Sequence, residues 1–264
     1  MTFASTLALY RFPRAYREEQ YCMPRACRRF MREAGITYEV HRHWELERGS
    51  VLYFAGHTSF LDGFAISLAC PEHLPLKRVI HSVSAMLLGK QFYDRNLTVF
   101  PRGSYRNWRY ECHGWWSSLA YFWTHWWLPV TPFQGGKRTI QQALLSGSSV
   151  SIFPAGVVGE TIWRTGIGAI VGGLPDENAM GDPIYLAPVS IRWDFEPHRV
   201  LVESPGLVRL RSLRPLWNQA MDRVELTEWL KKRYLDQDWP WESDRCEVRA
   251  PEAPFAKPTA AISR

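Results

Sequence analysis

Ser50 to Ala55 (SVLYFA), followed by Gly56-His57-Thr58-Ser59-Phe60-Leu61-Asp62, is the stretch that decides how this chain folds. The first six residues follow a Glu47-Arg48-Gly49 turn and read as a short buried strand. Beyond them, apolar residues at 60, 61, 64, 65 and 68 keep a helical period. The spacing predicts His57 at the carboxyl end of a strand and Asp62 about one turn into the next helix. In α/β sheets, ligands collect at such strand ends. A histidine beside a carboxylate is a general means of activating a hydroxyl, because the acid fixes the imidazole tautomer and steadies the imidazolium that forms. The spacing alone is weak evidence. A strand-end histidine bonded to backbone, next to a cap-like aspartate, accounts for it equally well.

Upstream, residues 5–34 carry helical periodicity. Met23, Ala26, Cys27, Phe30, Met31 and Ala34 form one stripe, with Arg25, Arg28, Arg29 and Arg32 on the other faces. A break is expected near Pro13–Arg14 or Tyr21, with Pro24 opening a second helix. Residues 1–35 hold seven Arg against three Glu. This basic amphipathic segment either packs on the core or lies in a membrane interface. Residues 36–44 alternate like a strand before the turn at 47–49.

Downstream, strands are expected at 77–84, 97–100, 148–153, 184–193 and 200–203. Helices are expected at 85–92, 135–147 and 224–234, and the Gly-rich stretch 164–182 reads as loop. Six of the thirteen Trp fall in a block at 105–133 (108, 115, 116, 123, 126, 127). It suits a membrane–water boundary, an acyl-chain groove or an aromatic core helix. Three regions follow: 1–35 as the basic helical segment, 36–235 as the main domain with the Trp-rich insertion, and 236–264 as an acidic, partly disordered tail.

Composition narrows the class. A chain of 264 residues with 46% hydrophobic and 22% charged residues is that of a folded globular protein. Five Cys, odd in number and with no C-x-x-C pair, argue for reduced thiols in a cytosolic compartment. No run of about 18 apolar residues is present, so no membrane-spanning helix is expected. Metal-site spacing and phosphate-loop motifs are absent, and His41 and His43 read as surface residues on one strand face. A Gly-x-Ser-x-Gly elbow is also absent. A nucleic-acid partner is not expected, since only the Arg-rich start and the aromatics speak for one.

Four stretches appear in order: residues 56–62 (GHTSFLD), 99–103 (VFPRG), 152–156 (IFPAG) and 186–191 (LAPVSI). In this order and at these separations they resemble the glycerolipid acyltransferase family, typified by 1-acylglycerol-3-phosphate O-acyltransferases, over roughly residues 36–195. The resemblance implies a single α/β domain with a mostly parallel central sheet flanked by helices. It implies transfer of a fatty acyl group from acyl-CoA or acyl carrier protein, as co-substrate and without a cofactor, to a hydroxyl of a lipid or lipid precursor. His57 would be the general base and Asp62 its orienting carboxylate. Ser59, Arg102, Gly103, Gly156 and Arg164 would contact substrate, Arg102 as the holder of an acceptor phosphate. The partners implied are the thioester donor, a lipid acceptor and a membrane surface, on the cytoplasmic inner face. The third block departs from the family pattern: Ala155-Gly156-Val157-Val158 stands where Glu-Gly-Thr-Arg is usual. The departure points to a changed acceptor. It also admits a non-catalytic lipid- or acyl-carrier-binding protein on the same fold.

Overall fold

The computed structural model describes residues 3–59, 61–81, 95–100, 131–156, 158–194, 198–217 and 221–241. Two helices, α1 (Phe3–Glu18) and α2 (Met23–Glu33), precede strands β1 (Thr37–Arg42) and β2 (Ser50–Ala55). Then come α3 (Asp62–Leu68), β3 (Leu76–His81), β4 (Leu97–Phe100), β5 (Thr131–Pro132), α4 (Phe133–Leu145), β6 (Ser149–Ile152) and α5 (Gly166–Gly172). The chain closes with β7 (Ile184–Asp194), β8 (Arg199–Ser204), β9 (Val208–Arg209), α6 (Leu210–Leu213) and α7 (Arg223–Asp236). The expected helix at 85–92 and most of the Trp-rich block lie outside the described residues.

Among the described residues the strands form one sheet in the order β1-β8-β7-β2-β6-β3-β4-β5, with β9 beside β7. The run from β7 to β5 is parallel throughout, whereas β8 and β9 pair antiparallel with β7, and β1 runs parallel to β8. The fold is thus α/β with a mostly parallel central sheet flanked by helices. β2 sits in the middle and is buried at all six positions, as a parallel strand covered on both faces must be. Val51, Tyr53 and Ala55 face a core shared with α1, α2 and α3, while Leu52 and Phe54 face α4, α5 and α7. Val51, Leu52 and Phe54 each contribute about 1.5–3 kcal/mol by burial.

One open choice is decided, for the break between the first two helices falls at Tyr21 and not at Pro13, and one expectation is corrected. Pro13 lies inside α1 and does not break it. The stripe Ala8, Phe12, Ala15 and Tyr16 stays buried across it, and the chain reverses instead at Gln20 and Tyr21, whose φ values are 53° and 62°. The Gly-rich stretch 164–182 is not all loop, for it contains α5. There Gly168 lets α5 approach α7 closely: a Cβ at that position would stand 2.3 Å from the Arg223 carbonyl oxygen. Its N–H donates to Thr227 Oγ1 at 3.2 Å. Gly168 and Gly172 thus serve helix contact, whereas Gly181, with φ of 80°, does serve chain reversal.

The N-terminal stripe Met23, Ala26, Cys27, Phe30 and Met31 is buried on the sheet, and Arg29 pairs outward with Glu18 and Glu33. At the other end the chain stays packed beyond α7, with Trp239 buried and Trp241 against the same cluster.

Candidate active site at the carboxyl edge of the sheet

Since β2, β6, β3 and β4 are parallel neighbours in that order, the turns that follow them open on one edge. The turn after β2 carries His57. Asp62 is the first residue of α3, a correction to the expected position one turn inside. The difference matters, because only from the helix start can its carboxylate fold back over the turn. Asp62 Oδ2 accepts from the Thr58 N–H at 2.6 Å, from the Ser59 N–H at 2.7 Å, and lies 3.1 Å from His57 Nδ1. Oδ1 accepts from the Trp193 indole N–H at 2.6 Å. The Asp62 side chain is 0% exposed and that of His57 16%. A carboxylate taken out of water needs donors on both oxygens, and here it has them.

With Asp62 an acceptor for three N–H groups, the hydrogen shared with His57 belongs on Nδ1, which leaves Nε2 as the basic nitrogen. The ring is held flat against Phe153, 4.2 Å between centroids at 17°. Phe153 leaves the carboxyl end of β6 and is the second residue of the third sequence block. The His57 carbonyl accepts from the Gly159 N–H at 2.7 Å, so the backbone on both sides of the ring is fixed. Behind the turn, the Tyr234 hydroxyl of α7 accepts from the Gly56 N–H at 3.1 Å and donates to the Val189 carbonyl at 3.0 Å. This ties the ends of β2 and β7 together. Burial raises the Tyr234 pKa above that of an ordinary phenol; the Gly56 N–H opposes the rise and the Asp62 charge adds to it. The hydroxyl therefore stays neutral and keeps its proton for Val189.

The other expected site residues divide. The Ser59 hydroxyl oxygen accepts from the Leu61 N–H at 3.2 Å, closing the turn that leads into α3. Gly156 lies in the turn after β6 with φ of 76°, and Arg164 stands beside it. Arg164 Nε donates to the Ala155 carbonyl at 2.9 Å, and its guanidinium pairs with Glu160 at 3.3 Å. The structure therefore brings His57, Asp62, Ser59, Gly156 and Arg164 to one edge. Arg102 and Gly103 follow β4 by two and three residues and lie outside the described residues.

Trp193 and Tyr234 were missed as site residues. Both had a periodic signal: Trp193 continues the alternation Tyr185, Ala187, Val189, Ile191 on one face of β7, and Tyr234 follows Leu226 and Leu230 at helical spacing. Nothing in that periodicity says which atom each side chain reaches. Among the described residues no group of three His, Cys, Asp or Glu stands together as a metal site. His41 and His43 face each other at 6.4 Å between ring centroids. No described helix is long and apolar enough to cross a membrane.

No family model and no curated protein matches the chain. Among solved structures it is similar to the 1-acyl-sn-glycerophosphate (LPA) acyltransferase PlsC from Thermotoga maritima, with 12% sequence identity and a TM-score of 0.45 over 88% of this chain and 94% of that one. A likeness that distant transfers no residue roles.

Proposed function

We propose that this protein is an O-acyltransferase that moves a fatty acyl group from acyl-CoA or acyl carrier protein to a hydroxyl of a lipid or lipid precursor. The observation that carries it is the His57–Asp62 pair: imidazole and fully buried carboxylate 3.1 Å apart at the carboxyl edge of the sheet. The ordered blocks in the sequence supply the substrate class.

In this mechanism His57 Nε2 takes the proton of the acceptor hydroxyl as its oxygen attacks the thioester carbonyl. A C–O bond forms, the tetrahedral adduct collapses, and the C–S bond breaks. The imidazolium then returns its proton to the departing thiolate. Asp62 keeps Nδ1 protonated and steadies the transient positive charge. General base catalysis of this kind supplies about 10²–10⁴-fold.

The acceptor is an alcohol without the anionic group that the usual third block serves. Its acidic and basic positions are filled here by Ala155, which is buried, and Val158, which is exposed. Arg164 beside Gly156 and Arg102 after β4 remain the cations for any charged portion of either substrate, and Ser59 and Gly103 complete the substrate contacts. Reaction occurs at a membrane surface on its cytoplasmic side, where both a lipid acceptor and a soluble thioester are present.

The test uses radiolabelled palmitoyl-CoA, and separately palmitoyl-acyl carrier protein, with a total lipid extract as acceptor. Wild type yields labelled lipid, and His57→Ala lowers the rate by about 10²–10⁴-fold with an unchanged circular dichroism spectrum. Near-normal transfer by His57→Ala removes the assigned base. Tight binding of a thioester or lipid with no product from either donor favours a carrier-binding protein, the reading prompted by the altered third block.

A further inference from the structure

We propose that Trp193 is a positioning residue for the base, its indole N–H fixing the Asp62 oxygen to which the described residues of the turn give no donor. Oδ2 is saturated locally by the Thr58 and Ser59 amides and by His57. All three act on that one oxygen and resist rotation of the carboxylate from one side only, while the described residues of the turn offer the other oxygen no donor. The donor on Oδ1 comes from 131 residues away and is short, at 2.6 Å. With both oxygens held, the plane of the carboxylate is set, and with it the direction in which Nδ1–H must point and Nε2 must face.

The length of β7 serves this placement. β2 pairs with β7 only as far as Ala55 opposite Val189. β7 runs five residues further, to Asp194, and beyond Val189 it pairs with β8 from Ser190 to Asp194. Trp193 stands on that overhang opposite Val200. A strand ending with its neighbour would not reach Asp62. The antiparallel β7–β8 pair, supported in turn by β1, is thus a bracket that carries an indole over the turn after β2. Tyr234 from α7 and Arg78 from β3 beneath Gly63 are titratable groups packed on that turn or the start of α3, and Glu160 and Arg164 pair in the turn after β6, which reaches His57 through the Gly159 N–H.

This role rests on His57 acting as base, and the experiment separates the two. In ¹⁵N-labelled protein the Trp193 indole N–H signal, identified by its loss in Trp193→Phe, moves with pH along the same curve as the His57 ring signals. The movement disappears in His57→Gln, which removes only the imidazole. With palmitoyl-CoA and the lipid extract, Trp193→Phe lowers kcat about tenfold, the scale of one hydrogen bond to a charged group, with KM for palmitoyl-CoA within about twofold. Trp44→Phe is the control. It deletes another buried indole bond, 2.8 Å to Ser204 Oγ, outside the site, and keeps wild-type kcat. An indole signal indifferent to His57, or wild-type kcat in Trp193→Phe, overturns the role. If Trp193→Phe does not fold, the signal is identified by its jump in Asp62→Asn and the same criterion applies. Coupled movement in a protein that transfers no acyl group from either donor keeps Trp193 as the positioning residue and refutes acyl transfer.

Discussion

The turns that leave the neighbouring strands β2 and β6 are built on opposite terms. Residues 56–62 wrap a buried carboxylate and spend two backbone amides, an imidazole and a distant indole on it. Residues 153–164 hold no buried charge. Gly156 is exposed, Val158 is 43% and Ile162 71% exposed, and the turn is held by Arg164 on the Ala155 and Pro154 carbonyls, by the Gly156 N–H on the Phe153 carbonyl and by Gly159 on His57. The first turn is fixed because a desolvated charge tolerates few arrangements. The second is cheap to change at Gly156, Val158 and Ile162, which face water, though Ala155 and Trp163 within it are buried. In the proposed acyltransferase the first turn would carry the chemistry and the second the choice of acceptor, so the third block can lose both charged residues while His57 and Asp62 keep their geometry.

The largest expected effect tests the first half of that contrast. Asp62→Ala leaves the Thr58, Ser59 and Trp193 N–H groups without their acceptor, at about 1–3 kcal/mol each. The melting temperature should fall by roughly 6 °C or more, together with loss of transfer. His57→Ala, at a half-buried ring, should melt near wild type. Equal melting of Asp62→Ala and wild type would mean that the carboxylate does not hold the turn.

A smaller effect is expected from Val158→Arg, which restores a cation to the second turn. The ratio of kcat/KM for lysophosphatidic acid over a neutral alcohol such as monoacylglycerol should rise about tenfold, the scale of a charge-assisted hydrogen bond, with the melting temperature unchanged. An unchanged ratio would place acceptor choice elsewhere. Smallest is Gly156→Ala. The nearest atoms to the added Cβ are Arg164 Nε at 3.7 Å and Cδ at 3.8 Å, so space permits it. Only the left-handed φ resists, at about 1–2 kcal/mol, a shift of a few degrees in thermal melting. A loss exceeding that of Asp62→Ala would reverse the contrast.

Much of this was legible in the chain because it is local. The run 50–55 is apolar at nearly every position and could only be a covered strand. The period through 60–68 and the turn residues at 154–156 placed the two edges of the site. Of the two expected break points Tyr21 is the one used, because a proline at 13 removes one hydrogen bond but does not outweigh the packing of Phe12 and Tyr16 on Phe30 and Tyr21. The glycines of α5 misled because close helix approach and chain reversal demand the same residue.

By itself, then, the sequence determined which strands are buried, that His57 follows a strand end, and what the third block lacks. Only the tertiary structure decided that β7 extends past β2 to bring Trp193 to Asp62, and that Tyr234 of α7 joins Gly56 to Val189. Periodicity fixes the face on which a residue lies, since that depends on backbone geometry a few residues long. The atom that a side chain reaches depends on strand order and register across the whole sheet, and local spacing holds no record of either.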